Sequence, residues 1–304
     1  MDQRLRRELS ATARDRSSGA AELTQDTCAA LQKWIRRHSN IRRNDLQPIV
    51  RALLLAQPAM APLLRVANEV ALAADDSEPS RRLARSLSRF AFVLRTGPER
   101  IAARFSAALR GEGHNIITTY SYSSTVLHAI VAARSRIWQV ICSEGRPGLE
   151  GRKTVEQVLR RAKGVGACLT TDAALHLFAA HSYALVVGAD SLEETGFTNK
   201  AGTGALVAHA LQIGRPVWVL AGTSKLLPRE IDAIRADRNG PDSEIWAAAP
   251  KRLSILNPYF EKTPYAPGVR ILTENGWKTP AQICREIRKI KVSPLLETLA
   301  HAAD

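Results

Sequence analysis

The sequence has few cysteines and no long apolar run. Four cysteines occur among 304 residues without a CxxC pair, which excludes a zinc ribbon and a disulfide scaffold. No apolar run approaches the roughly 20 residues that span a bilayer. The first residues also lack the apolar core of a signal peptide. We therefore expect a soluble protein of the cytoplasm.

Several catalytic signatures are missing as well. The chain has no Walker A loop, no GxGxxG fingerprint and no GxSxG nucleophile elbow. His176 and His181 lie five residues apart, which does not match the spacing of metal ligands on one helix face. We predict neither a metal nor a cofactor.

Positive charge is in excess. The chain has 43 Lys and Arg against 29 Asp and Glu, a net charge of +14, and residues 1–110 hold 20 against 11. A basic chain favours an anionic partner, such as a phosphorylated metabolite, a nucleic acid or an acidic protein surface. The arginine clusters lie on helix-like stretches without interleaved aromatic residues, which favours solvated helix faces over a nucleic-acid contact.

The periodicity of apolar residues changes near residue 110. Before it, three- and four-residue spacing predicts helices over residues 20–37, 45–56 and 78–95. After it, short apolar runs alternate with helical segments such as 203–212, which indicates βαβ units and a parallel sheet. The five predicted strands cover residues 115–119, 137–142, 167–171, 184–189 and 216–221. Beyond about residue 228 we predict irregular structure until a final helix near residues 280–290.

The loops after the predicted strands hold the candidate site, because ligands of such folds collect beyond the carboxyl ends of the strands. In the loop 188–206, Asp190 directly follows an apolar strand, and Asn199 and Lys200 add an amide and an ammonium group. These groups could hold a polyhydroxylated, phosphorylated ligand; a capped helix and a surface turn are the alternative. The loop 143–154 offers Arg146 as an anion contact or forms an ordinary turn.

The order of these loops resembles the translation initiation factor 2B alpha/beta/delta family, which includes methylthioribose-1-phosphate and ribose-1,5-bisphosphate isomerases. The matching segments are TTYSYSSTVLHAI, SEGRPGLEG, TTDAAL, GADSLEETGFTNKAGT and NPYFEKTPY, with looser matches at SSGAAEL and AQPAMAPLL. The resemblance implies an α/β fold with a helical N-terminal domain, residues 1–110, and a Rossmann-like parallel-sheet domain, residues 111–304. It also implies a homodimer or an assembly with related subunits.

The resemblance assigns roles to several residues. Asp190 matches the catalytic aspartate that moves protons during aldose-to-ketose conversion. Asn199 and Lys200 match the substrate-binding pair, and Lys225 matches a lysine after the next strand.

Both phosphate-binding arginines of the isomerases are replaced in this chain. Their Arg-Gly-Ala motif reads Ser18-Gly19-Ala20, and Gln57 stands where a second arginine precedes a proline. Charge-assisted contacts of this kind are worth roughly 1.5–3 kcal/mol each. Their loss points away from the known isomerase reactions while leaving a pocket.

Two further substrate-contacting positions differ. Ser121 replaces the cysteine that partners the catalytic aspartate, and a hydroxyl is a poorer proton donor than a thiol. Glu150 stands where the isomerases have glutamine, which adds a negative charge beside the expected substrate.

Two functions are compatible with this pattern. The first is a binding or regulatory protein, like the initiation factor subunits, whose pocket accepts a phosphorylated sugar or nucleotide without isomerising it. The alternative is an aldose-1-phosphate isomerase with a changed substrate, in which Asp190 is the general acid and base, Ser121 or a water replaces the thiol, and Arg146 helps to hold the substrate.

Overall fold

The computed structural model describes residues 1–15, 19–38, 40–57, 59–111, 113–234 and 239–301. The chain divides into two compact units. Unit 1 comprises Met1–Gly97, Gly222–Ala236 and Ile283–Asp304, and unit 2 comprises Pro98–Ala221 and Asp237–Gln282. The predicted domain division at residue 110 stays a prediction.

Twelve α-helices occur in the described residues. Their bounds are α1 Gln3–Arg14, α2 Ala20–Arg37, α3 Arg43–Ala56, α4 Ala61–Ala74, α5 Pro79–Ala108, α6 Ser124–Ala132, α7 Glu150–Arg161, α8 Leu175–Ala179, α9 Thr203–Gln212, α10 Arg229–Asp232, α11 Pro280–Ile287 and α12 Pro294–His301.

Unit 1 is helical because its apolar residues recur at helical spacing and form one interior. Trp34 of α2, Leu46 of α3, Leu64 of α4 and Leu83 of α5 are at most 2% exposed and belong to one cluster. The predicted helical N-terminal region is confirmed. The helix predicted to end at residue 95 continues to Ala108.

Ten β-strands occur in the described residues. Their bounds are β1 Asn115–Thr119, β2 Ile137–Ser143, β3 Gly166–Thr170, β4 Ala184–Gly188, β5 Ser191–Leu192, β6 Gly196–Lys200, β7 Val217–Leu220, β8 Phe260–Pro264, β9 Val269–Thr273 and β10 Gly276–Lys278.

Seven of the strands form one sheet in the order β10-β9-β7-β4-β1-β2-β3. All neighbours pair in parallel except β10 and β9. The central strand β4 is buried along its whole length, as a parallel strand covered on both faces should be. The α/β fold with a mostly parallel sheet is confirmed, and each of the five predicted strands occurs within two residues of its predicted bounds.

Two expectations about irregular segments were wrong. Strands β9 and β10 extend the main sheet, so the chain after residue 228 is not irregular up to the last helices, and α12 follows α11. Strands β9 and β10 are joined by a tight turn at Glu274 and Asn275, followed by Gly276 at φ +106°, a conformation that glycine adopts without strain.

The segment 188–206 is likewise not a plain loop. It contains β5 and β6, which pair antiparallel and form a second sheet with β8. This sheet holds Asn199 and Lys200 in a strand, where their side chains alternate between its two faces. None of the described helices has the length and apolar character needed to cross a membrane.

Candidate functional site

Direct contacts connect the loops at the carboxyl ends of β1, β2 and β4 in unit 2. The Thr154 hydroxyl of α7 donates to the Ser121 carbonyl at 2.8 Å. The Tyr120 hydroxyl donates to the Ala201 carbonyl at 2.6 Å. The parallel arrangement of β4, β1 and β2 explains this clustering, because the three strands end at the same edge of the sheet.

Lys200 forms an ion pair with Glu150. Its Nζ atom lies 2.9 Å from Glu150 Oε1, and the lysine side chain is 4% exposed against 36% for the glutamate. The same Nζ lies 5.2 Å from the centre of the Tyr259 ring, a cation–π distance. The ammonium that the resemblance assigns to the substrate is therefore engaged by a carboxylate of this chain.

The backbone around Glu150 directs its carboxylate into the turn that precedes α7. Leu149 adopts left-handed φ 59° just before the helix begins. A Cβ added at Gly148 would lie 2.8 Å from Glu150 Oε1, and one at Gly145 would lie 3.0 Å from Oε2. Within the described residues, Oε2 is shielded from solvent and has no hydrogen-bond partner. A buried carboxylate oxygen without a hydrogen-bond donor costs free energy, so the turn holds Glu150 at a cost in stability.

Asn199 orients the start of α9. Its Nδ2 donates to the Thr203 hydroxyl at 3.0 Å, and that hydroxyl donates to the Lys200 carbonyl at 2.6 Å. Glu261 of β8 accepts from the Gly204 backbone N–H, where a carboxylate also interacts favourably with the helix dipole. One amide N–H of Asn199 is therefore used in the hydrogen bonds that hold the start of α9.

Asp190 follows β4 and is partly buried. Its backbone N–H donates to the Thr198 carbonyl at 2.7 Å. The adjoining hairpin is held by Glu193, whose Oε1 accepts from the hydroxyls of Ser191 and Thr198. The predicted general acid and base thus lies at the base of a rigid hairpin.

Ser121 adopts a left-handed backbone with φ 63°, which costs a non-glycine residue roughly 1–2 kcal/mol. The sheet places the thiol of Cys142 beside the end of β1, where Cys142 pairs in register with Thr119. Cys142, at the end of β2, is fully buried, and burial followed by the charge of Asp172 raises the pKa of its thiol to about 12. Cys142 therefore stays a neutral thiol at pH 7.

Arg146 is held by its backbone while its side chain is exposed. The backbone N–H groups of Gly145 and Arg146 donate to the two oxygens of Asp172, at 2.9 and 2.7 Å. Asp172 follows β3 and shapes this turn, so the guanidinium remains available to solvent.

The other predicted site residues belong to unit 1. Gly19 is the N-cap of α2, Ala20 is its first residue, and Ser18 lies outside the described residues. Gln57 is 4% exposed and its Nε2 donates to the carbonyls of Thr12 and Asp15, at 3.1 and 2.9 Å. Its amide N–H groups thus serve the end of α1.

Lys225 closes a short 3-10 turn, Thr223–Lys225, after β7, and is partly buried in unit 1. Its assignment to substrate binding, like those of the other predicted site residues, stays a prediction.

Sequence reasoning did not identify Tyr120, Tyr259 and Glu261 as site residues. Burial, then the charges of Asp172, Glu150 and Glu261, raise the pKa of the Tyr120 phenol. Both Tyr259 and Glu261 lie in the NPYFEKTPY segment, which carried the resemblance without an assigned role. Among the described residues, no cluster of three or more His, Cys, Asp or Glu side chains could hold a metal ion.

Comparison with known proteins finds relatives of two kinds, proteins named after eIF-2B and sugar-phosphate isomerases. A protein of Pyrococcus horikoshii named for its likeness to eIF-2B subunit 2 is 30% identical over 60% of this chain and 64% of its own length. The ribose 1,5-bisphosphate isomerase of Archaeoglobus fulgidus is 27% identical over 85% of this chain and 84% of its own. A methylthioribose-1-phosphate isomerase of Parabacteroides distasonis is 32% identical over 54% of this chain and 51% of its own. The chain thus matches about half to four fifths of the length of these relatives.

Solved structures share the fold. The translation initiation factor eIF-2B of P. horikoshii OT3 superposes with a TM-score of 0.72 at 23% identity, covering 93% of this chain and 99% of that one. The tetrameric eIF2B-beta2-delta2 complex from C. thermophilum gives 0.70 at 14% identity, with coverage of 94% and 93%. The family model described as the Initiation factor 2 subunit family matches residues 16–280. Because this model covers most of its length, the chain belongs to the Initiation factor 2 subunit family.

Proposed function

We propose that this chain is a regulatory or binding member of its family whose site in unit 2 accepts a phosphorylated sugar or nucleotide without isomerising it. The observation that carries the proposal is the ion pair between Lys200 and Glu150, at 2.9 Å. A phosphate that uses the lysine must compete with a carboxylate already bound to it. Ligand binding is then weaker than in a site with a free lysine.

The charges around the ion pair support the same conclusion. Asp172 and Glu261, like Glu150, lie close enough to Tyr120 to raise its pKa. These carboxylates repel a phosphate. The sequence also lacks the two phosphate-binding arginines that the resemblance assigns to the isomerases, having Ser18 and Gln57 at those positions. Ser121 offers no activated thiol, so Asp190 lacks the acidic partner that the isomerase reaction uses.

Thermal stabilisation of the purified protein tests the proposal, with ribose 1,5-bisphosphate and AMP as probes. At about 100 times Kd a ligand adds roughly 2.7 kcal/mol to the stability of the folded state. We expect one of the probes to raise the Tm, Lys200→Ala to abolish the shift, and Glu150→Gln to enlarge it. No ketose product should appear.

Either of two outcomes contradicts the proposal. If neither probe shifts the Tm of the wild type or of Glu150→Gln, the site does not bind this class of ligand. If the wild type turns over a sugar 1-phosphate and Asp190→Asn abolishes the turnover, the chain is an enzyme.

An isomerase with a changed substrate is the second candidate, and one observation favours it. Asp190 keeps the place of a general acid and base, just after β4, and is only partly buried. Such a substrate would carry less negative charge than a bisphosphate. A screen of uncharged pentoses and their monophosphates for ketose formation, with Asp190→Asn as the inactive control, distinguishes the two functions.

We also propose assembly with a second copy or a related subunit through unit 2. Large apolar side chains are exposed there: Trp138 at 63%, Leu169 at 47% and Leu177 at 60%. Strand β3 is an edge strand of the main sheet. Light scattering after size-exclusion chromatography should give at least twice the chain mass of 33.2 kDa, and a monomer at micromolar concentration would contradict self-assembly.

A further inference from the structure

Unit 1 contains a strongly basic cavity that the proposed function does not use. It has a volume of about 480 Å³ and lies between α4, the first half of α5 and the segment that follows α11. Five arginines and two lysines line it against three carboxylates, which leaves an excess of four positive charges. Every lining residue belongs to unit 1.

The arginines of α5 form one stripe. Arg81, Arg85 and Arg89 are spaced by four residues, so their side chains lie along one face of the helix. Like charges at this spacing destabilise a helix by a few tenths of a kcal/mol per pair. An anion bound along the stripe would remove that repulsion.

Most of the cationic charge in the cavity is not neutralised by the chain. Arg81 pairs with Glu78 at 3.1 Å and Arg82 with Asp76 at 3.4 Å. Four other cationic residues, besides Arg65, line the cavity, and across the part of the chain that the structure describes no carboxylate lies within 4.0 Å of their charged nitrogens. These four residues are Arg85, Arg89, Lys289 and Lys291.

Arg65 of α4 is a half-buried residue of the lining. Its Nη1 donates to the Leu226 carbonyl at 2.6 Å, while its Nε is shielded from solvent and has no hydrogen-bond partner among the described residues. Burial lowers the pKa of its guanidinium to about 10, and the charge of Glu69 opposes that effect. The group remains charged at pH 7, so the lining includes a guanidinium that no carboxylate within 4.0 Å neutralises in the described structure.

A second hollow of about 240 Å³ shares four lining residues with the first: Arg65, Glu69, Ser86 and Arg89. Its other walls include the apolar Phe90 and Val93 and the hydroxyl-bearing Thr223. The two hollows together therefore offer a cationic end and a more apolar end, within the size range of small-molecule sites.

We propose that the two hollows form a binding site for a small ligand that carries a di- or triphosphate group. The phosphates lie against Arg65, Arg85 and Arg89, and the rest of the ligand lies against Phe90 and Val93. An excess of four charges matches three or four negative charges on the ligand. A concave site between three segments suits a compact polyanion better than the extended backbone of a nucleic acid.

Isothermal titration with tripolyphosphate and with ADP tests the proposal. We expect both to bind the wild type. ADP should bind more tightly than its charge alone predicts, because its ring system contacts Phe90. The double variant Arg85→Gln/Arg89→Gln should weaken binding by at least about tenfold, since each lost charge-assisted contact costs that much. Both positions are exposed, so the variant is expected to fold.

The matched control removes the same charge elsewhere in unit 1. Arg36→Gln/Arg95→Gln alters two exposed arginines that do not line the cavity and should change the affinity less than twofold. A second control, Lys200→Ala, distinguishes this site from the one in unit 2: the binding that is lost in Arg85→Gln/Arg89→Gln should persist in Lys200→Ala. Equal losses in the two double variants, loss of binding in Lys200→Ala, or no binding by the wild type would overturn the proposal. Tighter binding of a single-stranded RNA that is also lost in Arg85→Gln/Arg89→Gln would overturn it in favour of nucleic acid.

Discussion

The two units of the molecule use charge in opposite ways. In unit 2, the lysine that the family resemblance assigns to the substrate is buried and paired with Glu150, and further carboxylates surround Tyr120. In unit 1, an open cavity is lined by seven arginines and lysines, five of which have no carboxylate within 4.0 Å in the described structure. The net charge of +14 therefore does not identify the site that attracts an anion. What decides it is whether the chain itself neutralises its cations.

The largest expected effect compares two glycines, one in each unit. An alanine Cβ at Gly151 would lie 1.7 Å from the Ser143 carbonyl oxygen, because the start of α7 lies directly against the end of β2. We expect Gly151→Ala to lower the free energy of unfolding by at least about 3 kcal/mol. A Cβ added at Gly19 would have no atom within 4 Å. Gly19→Ala should therefore lower the free energy of unfolding by less than about 1 kcal/mol. Urea denaturation measures both, and similar losses would contradict the tight packing at α7.

The next effect concerns one buried thiol in each unit, Cys28 and Cys142. Burial raises the pKa of each to about 12, with a further contribution of Asp172 at Cys142, from an ordinary value of 9.0. Between pH 9 and about 12 the unfolded chain loses these protons while the folded chain keeps them. The contribution of each thiol to the free energy of unfolding is therefore fully present below pH 9. Above pH 9 it falls by about 1.4 kcal/mol per pH unit.

Denaturation at pH 8 and pH 10.5 measures this loss. Cys28→Ala and Cys142→Ala should each reduce the difference between the two pH values by about 2 kcal/mol, whatever the variant does to stability at pH 8. A difference that is unchanged in Cys142→Ala would mean that this thiol titrates normally and is accessible near the site.

The smallest effect compares an enclosed ion pair with an exposed one. Glu150→Gln removes the charge that partners the 4%-exposed Lys200 and should lower the free energy of unfolding by about 1 kcal/mol, a value reduced by the 36% exposure of Glu150. Glu78→Gln breaks the pair between Glu78 and Arg81, whose side chains are 61% and 67% exposed, respectively. This change should alter the free energy of unfolding by less than about 0.5 kcal/mol. A stabilising Glu150→Gln would show that the pair is maintained for function at a cost in stability.

Local periodicity was sufficient to predict most of the individual elements. The apolar spacing over residues 20–37 and 203–212 predicts helices whose bounds match α2 and α9. The continuous apolar run near residue 184 predicts the buried strand β4. Each of these segments carries its own repeat of three to four residues, or an unbroken apolar run, so that its neighbours in sequence decide its structure.

Strands β5, β6, β9 and β10 could not be predicted in the same way. They are two to five residues long, and the chain around them alternates weakly between apolar and polar residues. Pairing partners decide such strands: β6 pairs with β8, which lies some sixty residues later in the sequence. Gly276, which follows the tight turn between β9 and β10, was the one local sequence signal for a turn there.

The candidate site divides along the same line. Sequence alone determined the helical first part, the parallel sheet and the position of Asp190 after β4, because short-range patterns and recognisable loop motifs carry that information. Only the tertiary structure decided that Lys200 is neutralised by Glu150, that Gln57 serves the end of α1 and that arginines of α4 and α5 share one cavity. Those properties depend on the distance between charged atoms that lie far apart in the chain, and the electrostatic energy of a charge depends on that distance and on its burial.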